Sequence, residues 1–215
     1  MKIVAHFLLL FALTFTPFTA NAVVVNFDGV AAGSNLPGNL FSGSGVSFTT
    51  GTIPDLVALG DTITLSSPDP RFDIFGNPDA ISLPNFAVSL GGGPNDLLIS
   101  FTIPVTFVSV TSDDSPGEAP DVIRLLALAP TGLPNQFMVL ALDSELDNAV
   151  SPPGNLLSVS LGGSAFSFAL FQTTTEQEGF DDLTFTPVPE PGTLVLLLLG
   201  LGGLAALRHT RRQKS

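Results

Sequence analysis

The sequence predicts an all-β protein whose strands pack as a sandwich or a barrel. Apolar and polar residues alternate in many short segments, which is the period of a half-buried strand. Clusters of Gly, Pro, Asn and Ser separate these segments at the spacing typical of sandwiches and barrels. No segment carries a sustained apolar stripe of helical period. Residues 23–187 number 165, which is enough for one domain with its own core.

The first 22 residues have the order of a secretory signal peptide. Lys2 precedes the apolar run 7–15, and Ala20-Asn21-Ala22 supplies the small residues that signal peptidase requires. An N-terminal membrane anchor is the alternative, but the apolar run is short and no stop-transfer pattern follows it. The sequence therefore predicts cleavage after Ala22, with Ala20 and Ala22 as the cleavage-site residues.

Predicted strands occupy most of the exported part. The alternating segments are 46–49, 61–65, 86–90 and 165–171. Longer β-type runs are 97–103, 105–111, 122–129 and 137–142. Predicted turns lie at 35–45, 66–70, 91–95, 112–120, 143–147 and 151–155. The main ambiguity is the run 122–129, because its leucines and alanines would also suit a short helix.

Phenylalanine is the only aromatic residue in the exported part, which holds 14 of the 18 in the chain. The ring has no polar group to place in water, so we expect these side chains to fill the space between two sheets. Stacking of exposed rings on sugars is the alternative.

The composition of the exported part excludes several classes of enzyme. It contains no His, Cys, Lys, Tyr or Trp. This excludes Ser-His-Asp and Cys-His nucleophiles, zinc sites built from His or Cys, and Schiff-base chemistry. A glycosidase with two carboxylates is the enzyme alternative, but sugar enzymes usually also need aromatic platforms and several donors. We therefore predict that the protein is not an enzyme.

The exported part is strongly acidic. All 19 acidic residues lie between Asp28 and Glu190, and Arg71 and Arg124 are the two basic residues in that range, which gives a net charge of −17. Repulsion disfavours binding to nucleic acid or to an anionic lipid face. The two arginines are expected to pair with nearby acids such as Asp69, Asp73 and Asp121.

The last 28 residues combine a rigid motif, an apolar segment and a basic end. The motif 188–193 contains Pro189-Glu190-Pro191, the segment 193–207 is almost wholly apolar, and 208–214 is basic. Fifteen helical residues span roughly 22 Å against a hydrocarbon core of about 30 Å, a deficit that snorkelling arginines and bilayer thinning can offset. The basic cluster should stay cytoplasmic, which leaves the preceding chain outside. Its members are Arg208, Arg211, Arg212 and Lys214.

This order of features resembles the PEP-CTERM sorting signal of Gram-negative bacteria that make extracellular polysaccharide. The resemblance covers residues 188–215. It implies that an exosortase, a membrane cysteine transpeptidase, recognises Pro189, Glu190 and Pro191 and cuts there. The protein would be anchored in the envelope membrane before processing and would reach the cell surface or extracellular matrix afterwards, with extracellular polysaccharide as a partner. An ordinary C-terminal anchor with a proline linker is the alternative.

A second resemblance concerns the exported domain. The segments 25–29, 99–110 and 179–185 occur in an order similar to the jelly-roll ectodomains found upstream of PEP-CTERM tails, which are similar to carbohydrate-binding-module sandwiches. It implies a jelly-roll-like β-sandwich over 23–187, followed by one short C-terminal transmembrane helix. A carbohydrate-binding module for exopolysaccharide is therefore an alternative function.

Calcium-binding jelly rolls of that kind hold a structural Ca²⁺ between carboxylates of the first and last strands. The resemblance places Asp28 in the first strand and Asp181 and Asp182 in the last, with carbonyl oxygens after Asp28 completing the six to eight ligands of calcium. Strand alternation puts Asp181 on the inward face, where a carboxylate needs a partner. The alternative is that these aspartates end strands in water. A calcium-tuned adhesion protein is a further alternative function.

Overall fold

The computed structural model describes residues 20–54, 57–76, 85–88, 96–113, 121–147, 155–173 and 179–188, together with Gly200. The chain divides into two units, Asn21–Val188 and a second unit made of Met1–Ala20 with Pro189–Ser215. Only Ala20 and Gly200 of the second unit are described, so the architecture is that of the first unit. The described residues include no helix long and apolar enough to cross a membrane. The predicted span 193–207 falls outside them, apart from Gly200.

The described residues form thirteen strands and one 3-10 helix at Ser42–Ser44. The strands are β1 (Val23–Val25), β2 (Gly33–Pro37), β3 (Val46–Thr52), β4 (Thr62–Thr64), β5 (Ser66–Asp69), β6 (Arg71–Gly76), β7 (Asn85–Val88), β8 (Asp96–Asp113), β9 (Asp121–Pro130), β10 (Gln136–Asp147), β11 (Leu156–Ser160), β12 (Phe166–Thr173) and β13 (Gly179–Pro187). The predicted all-β class is confirmed.

Two antiparallel sheets share the long strand β8. Its first half pairs with β3 and β12, and its second half pairs with β13 and β11. The first sheet has the order β5-β3-β8-β12-β9-β10-β4, and the second has the order β2-β6-β7-β13-β8-β11, with β1 also on β13. This is a sandwich-like arrangement, as the sequence predicted.

The inner core lies between the two sheets. Its buried side chains come from both sheets and include Phe48, Leu97, Leu125, Leu157, Leu183 and Phe185. Ring contacts run through it, with Phe27 to Phe180 at 5.7 Å and Phe171 to Phe180 at 5.2 Å between centroids. Each phenylalanine whose side chain the structure describes is buried or half-buried. Most of these rings lie in the inner core, as predicted, whereas Phe137 and Phe168 pack on the opposite face of the first sheet.

The outer core covers the opposite face of the first sheet. The segment 53–65 places Ile53, Val57, Ile63 and Leu65 over Leu98, Leu126, Leu128, Phe137, Val139 and Leu170. Strand β9 is therefore buried on both faces, which explains why 122–129 is apolar at every position except Arg124 rather than alternating. The ambiguity at 122–129 resolves as strand.

The predicted strands 97–103 and 105–111 are one strand, β8. Pro104 stands where β8 passes from the first sheet to the second, between Phe101 opposite Val46 and Val105 opposite Pro187. The missing N–H of a proline costs little at such a passage, because the ladder changes partners there.

Several predicted turns are strands. The turn 66–70 is largely β5, which pairs with β3, and 143–147 continues β10, with Asp147 opposite Asp121. Pairing with a buried neighbour outweighs the low strand propensity of aspartate and serine. In the predicted turn 35–45, the first residues belong to β2. The predicted opening strand 25–29 is shifted, because the chain turns after β1 with the Val30 N–H bonded to Phe27 O at 3.0 Å.

Candidate functional site

The predicted targeting residues lie at the margins of the described chain. Ala20 is half-buried and Ala22 is exposed, directly before β1. Pro189, Glu190 and Pro191 fall outside the described residues, as do the four residues of the predicted basic cluster, Arg208, Arg211, Arg212 and Lys214.

The turn after β1 holds the first predicted metal ligand, Asp28. Its N–H donates to Asn26 Oδ1 at 2.7 Å, which fixes a local Asx turn. The carboxylate oxygen Oδ1 of Asp28 is buried and has no hydrogen-bond partner among the described residues. A buried polar atom without a partner costs about 1–3 kcal/mol, so this oxygen is a candidate for a ligand.

The other two predicted ligands lie at a bulge in β13. Asp181 stands opposite Thr111, and Thr184 stands opposite Ser109, so β13 has one extra residue between them. Asp182 adopts a left-handed conformation with φ of 48° and donates its N–H to Asp181 Oδ1 at 2.8 Å. Asp181 is wholly buried, and its carboxylate has a backbone donor as a partner.

Asp181 is buried, but the bulge in β13 interrupts the alternation from which the sequence placed it on the inward face. Phe180 and Leu183 both belong to the inner core, although they are three residues apart. Neighbouring residues on a strand point to opposite faces, so Asp181 points away from Phe180. At the bulge, β13 changes which of its alternating residues face the inner core, and no local pattern in the sequence indicates this change.

Pairing of β1 with β13 brings these residues to the same end of the sandwich. Val25 lies opposite Leu183, and the ring of Phe27 packs on that of Phe180. The described residues include no group of three or more His, Cys, Asp or Glu side chains that could hold a metal. An ion at this end would therefore need carbonyl oxygens as well as carboxylates, which are the ligands that calcium accepts.

Two further carboxylates are buried, which the sequence did not predict: Asp73, which was expected only as a possible partner of an arginine, and Asp96. Asp73 accepts the N–H of Asn35 at 2.5 Å, and Asp96 accepts the N–H of Ile53 at 2.6 Å. With Asp181, all three have a backbone N–H as a partner. The only signal in the sequence was an acidic residue within an apolar strand, which does not by itself distinguish a buried position from an exposed one.

The two arginines differ in their surroundings. Arg71 is exposed and donates to both carboxylate oxygens of Asp69, one of them at 2.7 Å, and to Asn35 Oδ1 at 3.1 Å. This hydrogen bonding holds the pKa of Asp69 below its usual value and raises the pKa of Arg71. The predicted pairing of Arg71 with Asp69 is confirmed. Arg124 donates to Gln172 Oε1 at 3.2 Å, and Gln172 in turn donates to Pro54 O at 3.1 Å.

Comparison with protein families identifies the C-terminal segment. The model described as "PEP-CTERM protein-sorting motif" matches residues 187–212. The chain carries a PEP-CTERM sorting motif. The PEP-CTERM motif implies recognition by an exosortase, and export with membrane-associated sorting in Gram-negative bacteria. The match begins at Pro187, where β13 ends. A search of curated proteins found no match to this chain.

Two solved structures are similar to the domain that precedes the PEP-CTERM motif. One is the K2 cleaved adhesin domain of Lys-gingipain, at 12% identity and a TM-score of 0.46, covering 77% of this chain and 99% of that one. The other is the CBM22-1–GH10 portion of the Clostridium thermocellum endo-1,4-beta-D-xylanase 10B, at 15% identity and a TM-score of 0.32. It covers 81% of this chain and 30% of that one.

Proposed function

We propose that the protein is a non-enzymatic component of the cell surface or extracellular matrix, delivered there by processing at its sorting motif. Signal peptidase cuts after Ala22, and an exosortase-type transpeptidase recognises Pro189, Glu190 and Pro191 and cuts the chain there. The observation that carries the proposal is the sorting motif at 187–212. An apolar segment and a basic cluster follow the Pro-Glu-Pro triplet within the tail, in the order required for a transient membrane span.

The end of the folded domain is compatible with this processing. The Val188 N–H donates to Pro104 O at 2.8 Å, which is the last described hydrogen bond of the chain before the motif. Pro189 and Pro191 have no N–H and disfavour helix, so the sequence of the triplet favours an extended backbone. An extended backbone is what a cutting enzyme needs to bind.

The buried carboxylates support a non-enzymatic role. Asp73, Asp96 and Asp181 each accept a backbone N–H, so they hold local structure together. No phenylalanine side chain that the structure describes is exposed, which leaves none of them as a sugar-stacking platform. Extracellular polysaccharide is proposed as the material that surrounds the mature protein, without an assigned sugar site.

Mass spectrometry of the protein from its host tests the proposal. We expect a mature C-terminus between Pro189 and Gly192, and replacement of Pro189, Glu190 and Pro191 by alanine should abolish this cut. A matched control replaces Pro116, Glu118 and Pro120, which have the same composition, and should leave processing intact. An intact tail on the mature native protein would contradict processing and would mean that the tail is an ordinary membrane anchor.

A structural calcium ion is a second candidate, favoured by the unpartnered buried oxygen of Asp28. We propose that Asp28 supplies a carboxylate oxygen, that Asp181 or Asp182 supplies a second one, and that carbonyl oxygens of the turn after β1 complete the site, since the described residues hold no group of three such side chains. A net charge of −17 on the exported part makes a divalent cation electrostatically favourable. The ion would link the first and last strands.

Thermal unfolding with and without EDTA tests the ion. Calcium at about 100 times its dissociation constant stabilises a protein by about 2.7 kcal/mol, which corresponds to roughly 5–10 °C for a domain of this size. EDTA should remove this shift in the native chain but have no effect on Asp28→Asn. Asp61→Asn, an exposed position, should keep the EDTA response. An unchanged melting temperature in the native chain would refute the ion and leave the sorting proposal intact.

A further inference from the structure

The fold collects five charge-free segments at one end of the sandwich. They are the passage of β8 between sheets (102–105), Gly45 before β3, the β9–β10 turn (131–135), the β11–β12 turn (161–165) and the end of β13 (187–188). The contacts that bring four of them together are Thr102 N–H to Gly45 O at 2.9 Å, Phe166 opposite Val105, and Pro187 opposite Val105. The β9–β10 turn lies at this end because Phe168, near the start of β12, is opposite Leu128, near the end of β9. We call this the uncharged end.

The uncharged end has no ionisable side chain in any of these segments. The opposite end, which we call the acidic end, contains the two termini of β8 at Asp96 and Asp113, together with Asp28, Asp121, Asp147, Asp181 and Asp182. Because β8 bends at Pro104, both of its termini lie at the acidic end. The net charge of the exported part is therefore distributed unevenly along the strands.

Both ends of the exported chain emerge at the uncharged end. Val23 at the start of β1 lies opposite Phe185, two residues before the end of β13. Val188 is tied to Pro104, which stands at the passage of β8. Val23 and Val188, at the two ends of the domain, therefore lie at the same end of the sandwich.

The connection to the membrane segment is short. Five residues, 189–193, separate Val188 from the apolar run, and five residues span at most roughly 17 Å. The lipid headgroup layer is about 5–8 Å thick on each side, so the uncharged end cannot move far from the headgroups. Val105 at the uncharged end and Asp113 at the acidic end are eight residues apart along β8, a distance of about 26 Å. This distance is longer than the Debye length, which is about 8–10 Å at physiological salt.

We propose that the uncharged end rests against the lipid headgroups while the precursor is membrane-attached, with the acidic end pointing away. This inference rests on the membrane span in the proposed function. Ile103 and Leu133, which are 46% and 61% exposed, supply apolar contacts at this end. Because the carboxylates of the acidic end lie a domain length away from the bilayer, salt screens most of their repulsion from anionic headgroups. The arrangement presents the sorting motif at the bilayer surface.

Single-cysteine labelling of the full-length precursor in vesicles tests the orientation. The chain contains no cysteine, so each introduced cysteine takes one fluorophore without background. The informative pair is Leu133→Cys at the uncharged end and Leu146→Cys at the acidic end. Both leucines are exposed, and Leu133 lies just before β10 whereas Leu146 lies near the end of the same strand. The vesicles contain zwitterionic lipid with a minor anionic fraction and a quencher attached to the headgroups.

We expect several-fold stronger quenching at Leu133→Cys than at Leu146→Cys. Adding Leu133→Glu to an Ile103→Cys precursor should lower the quenching there, whereas adding Leu146→Glu should leave it unchanged. Equal quenching at both ends of a precursor that floats with vesicles would overturn the orientation alone. A precursor that does not float with vesicles would overturn the membrane span, and this inference with it.

Discussion

Polar groups at the acidic end and at the uncharged end of the sandwich have different hydrogen-bond partners. At the acidic end, the carboxylates of Asp73, Asp96 and Asp181 are buried and accept backbone N–H groups. At the uncharged end, backbone bonds to backbone, as in Val188 N–H to Pro104 O. Two of the three carboxylate partners, Asn35 and Asp182, have positive φ. A chain with few basic residues can satisfy buried acids with main-chain donors, provided that the backbone bends to present them.

The largest expected effect tests whether side-chain packing at the acidic end contributes more to the free energy of unfolding than packing at the uncharged end. Phe180 is wholly buried and contacts the rings of Phe27, Phe48 and Phe171. Phe180→Ala should lower the free energy of unfolding by about 3–5 kcal/mol, since it leaves a cavity. Urea denaturation measures this. Leu133→Ala at the uncharged end should stay within about 0.5 kcal/mol, and similar losses in the two variants would remove the contrast.

The next prediction compares alanine substitution at a glycine that lies close to neighbouring backbone with the same substitution at a glycine that faces open space. A Cβ on Gly38 would lie 2.9 Å from Pro70 O and closer still to Phe48 O, whereas a Cβ on Gly43, beside the uncharged end, meets nothing within 4 Å. Gly38→Ala should cost about 1–3 kcal/mol because the strands must move apart. Gly43→Ala should be nearly neutral by the same denaturation assay. A neutral Gly38→Ala would mean that this approach is easily relaxed.

A third variant isolates one carboxylate-to-backbone bond at the acidic end. Asp96→Ala leaves the Ile53 N–H without its acceptor under the outer core. We expect a loss of about 1–3 kcal/mol, with faster hydrogen exchange at the Ile53 amide. Asp96→Asn keeps an acceptor oxygen and should recover part of the protection. Unchanged exchange in Asp96→Ala would show that another group holds the segment in place.

The smallest effect concerns the exposed pair of Asp69 and Arg71. Because the pKa of Asp69 is lowered in the folded chain, its contribution to stability is present above the ordinary aspartate pKa of about 3.9 and is lost as the pH falls through the folded value. The pair is exposed, so the contribution is small. Titration of the Asp69 carboxyl by NMR should give a higher pKa in Arg71→Gln than in the native chain. The Arg124→Gln variant, used as a control, should leave this pKa unchanged.

Much of the fold could be predicted because the strands that pack on one face keep their alternation. Val46 to Thr49 was predicted this way, and it lies in β3, where buried and half-buried side chains alternate over these four residues. The strand β9 was ambiguous because its second buried face depends on the segment 53–65, which is distant in sequence. The continuity of β8 through Pro104 was missed for a similar reason, since only the tertiary passage between sheets makes a proline tolerable there.

The candidate site was less predictable than the fold. Asp181 was expected to need a cation, but the bulge that turns the Asp182 N–H towards it has no signature in the sequence. The unpartnered oxygen of Asp28 depends on how the turn after β1 packs, which is also a tertiary property. The sorting motif, by contrast, was fully readable because its recognition depends on linear order: prolines, an apolar run and a basic end.

Strand β13 connects the domain to its tail, and its position has a mechanical consequence. It pairs with β8 on one side, and with β7 and β1 on the other. A pull on the C-terminus runs along β13, so we expect its hydrogen bonds to be loaded in shear and to break together rather than one at a time. A chain held by this end would withstand a steady pull better than one attached through a strand that can be peeled away.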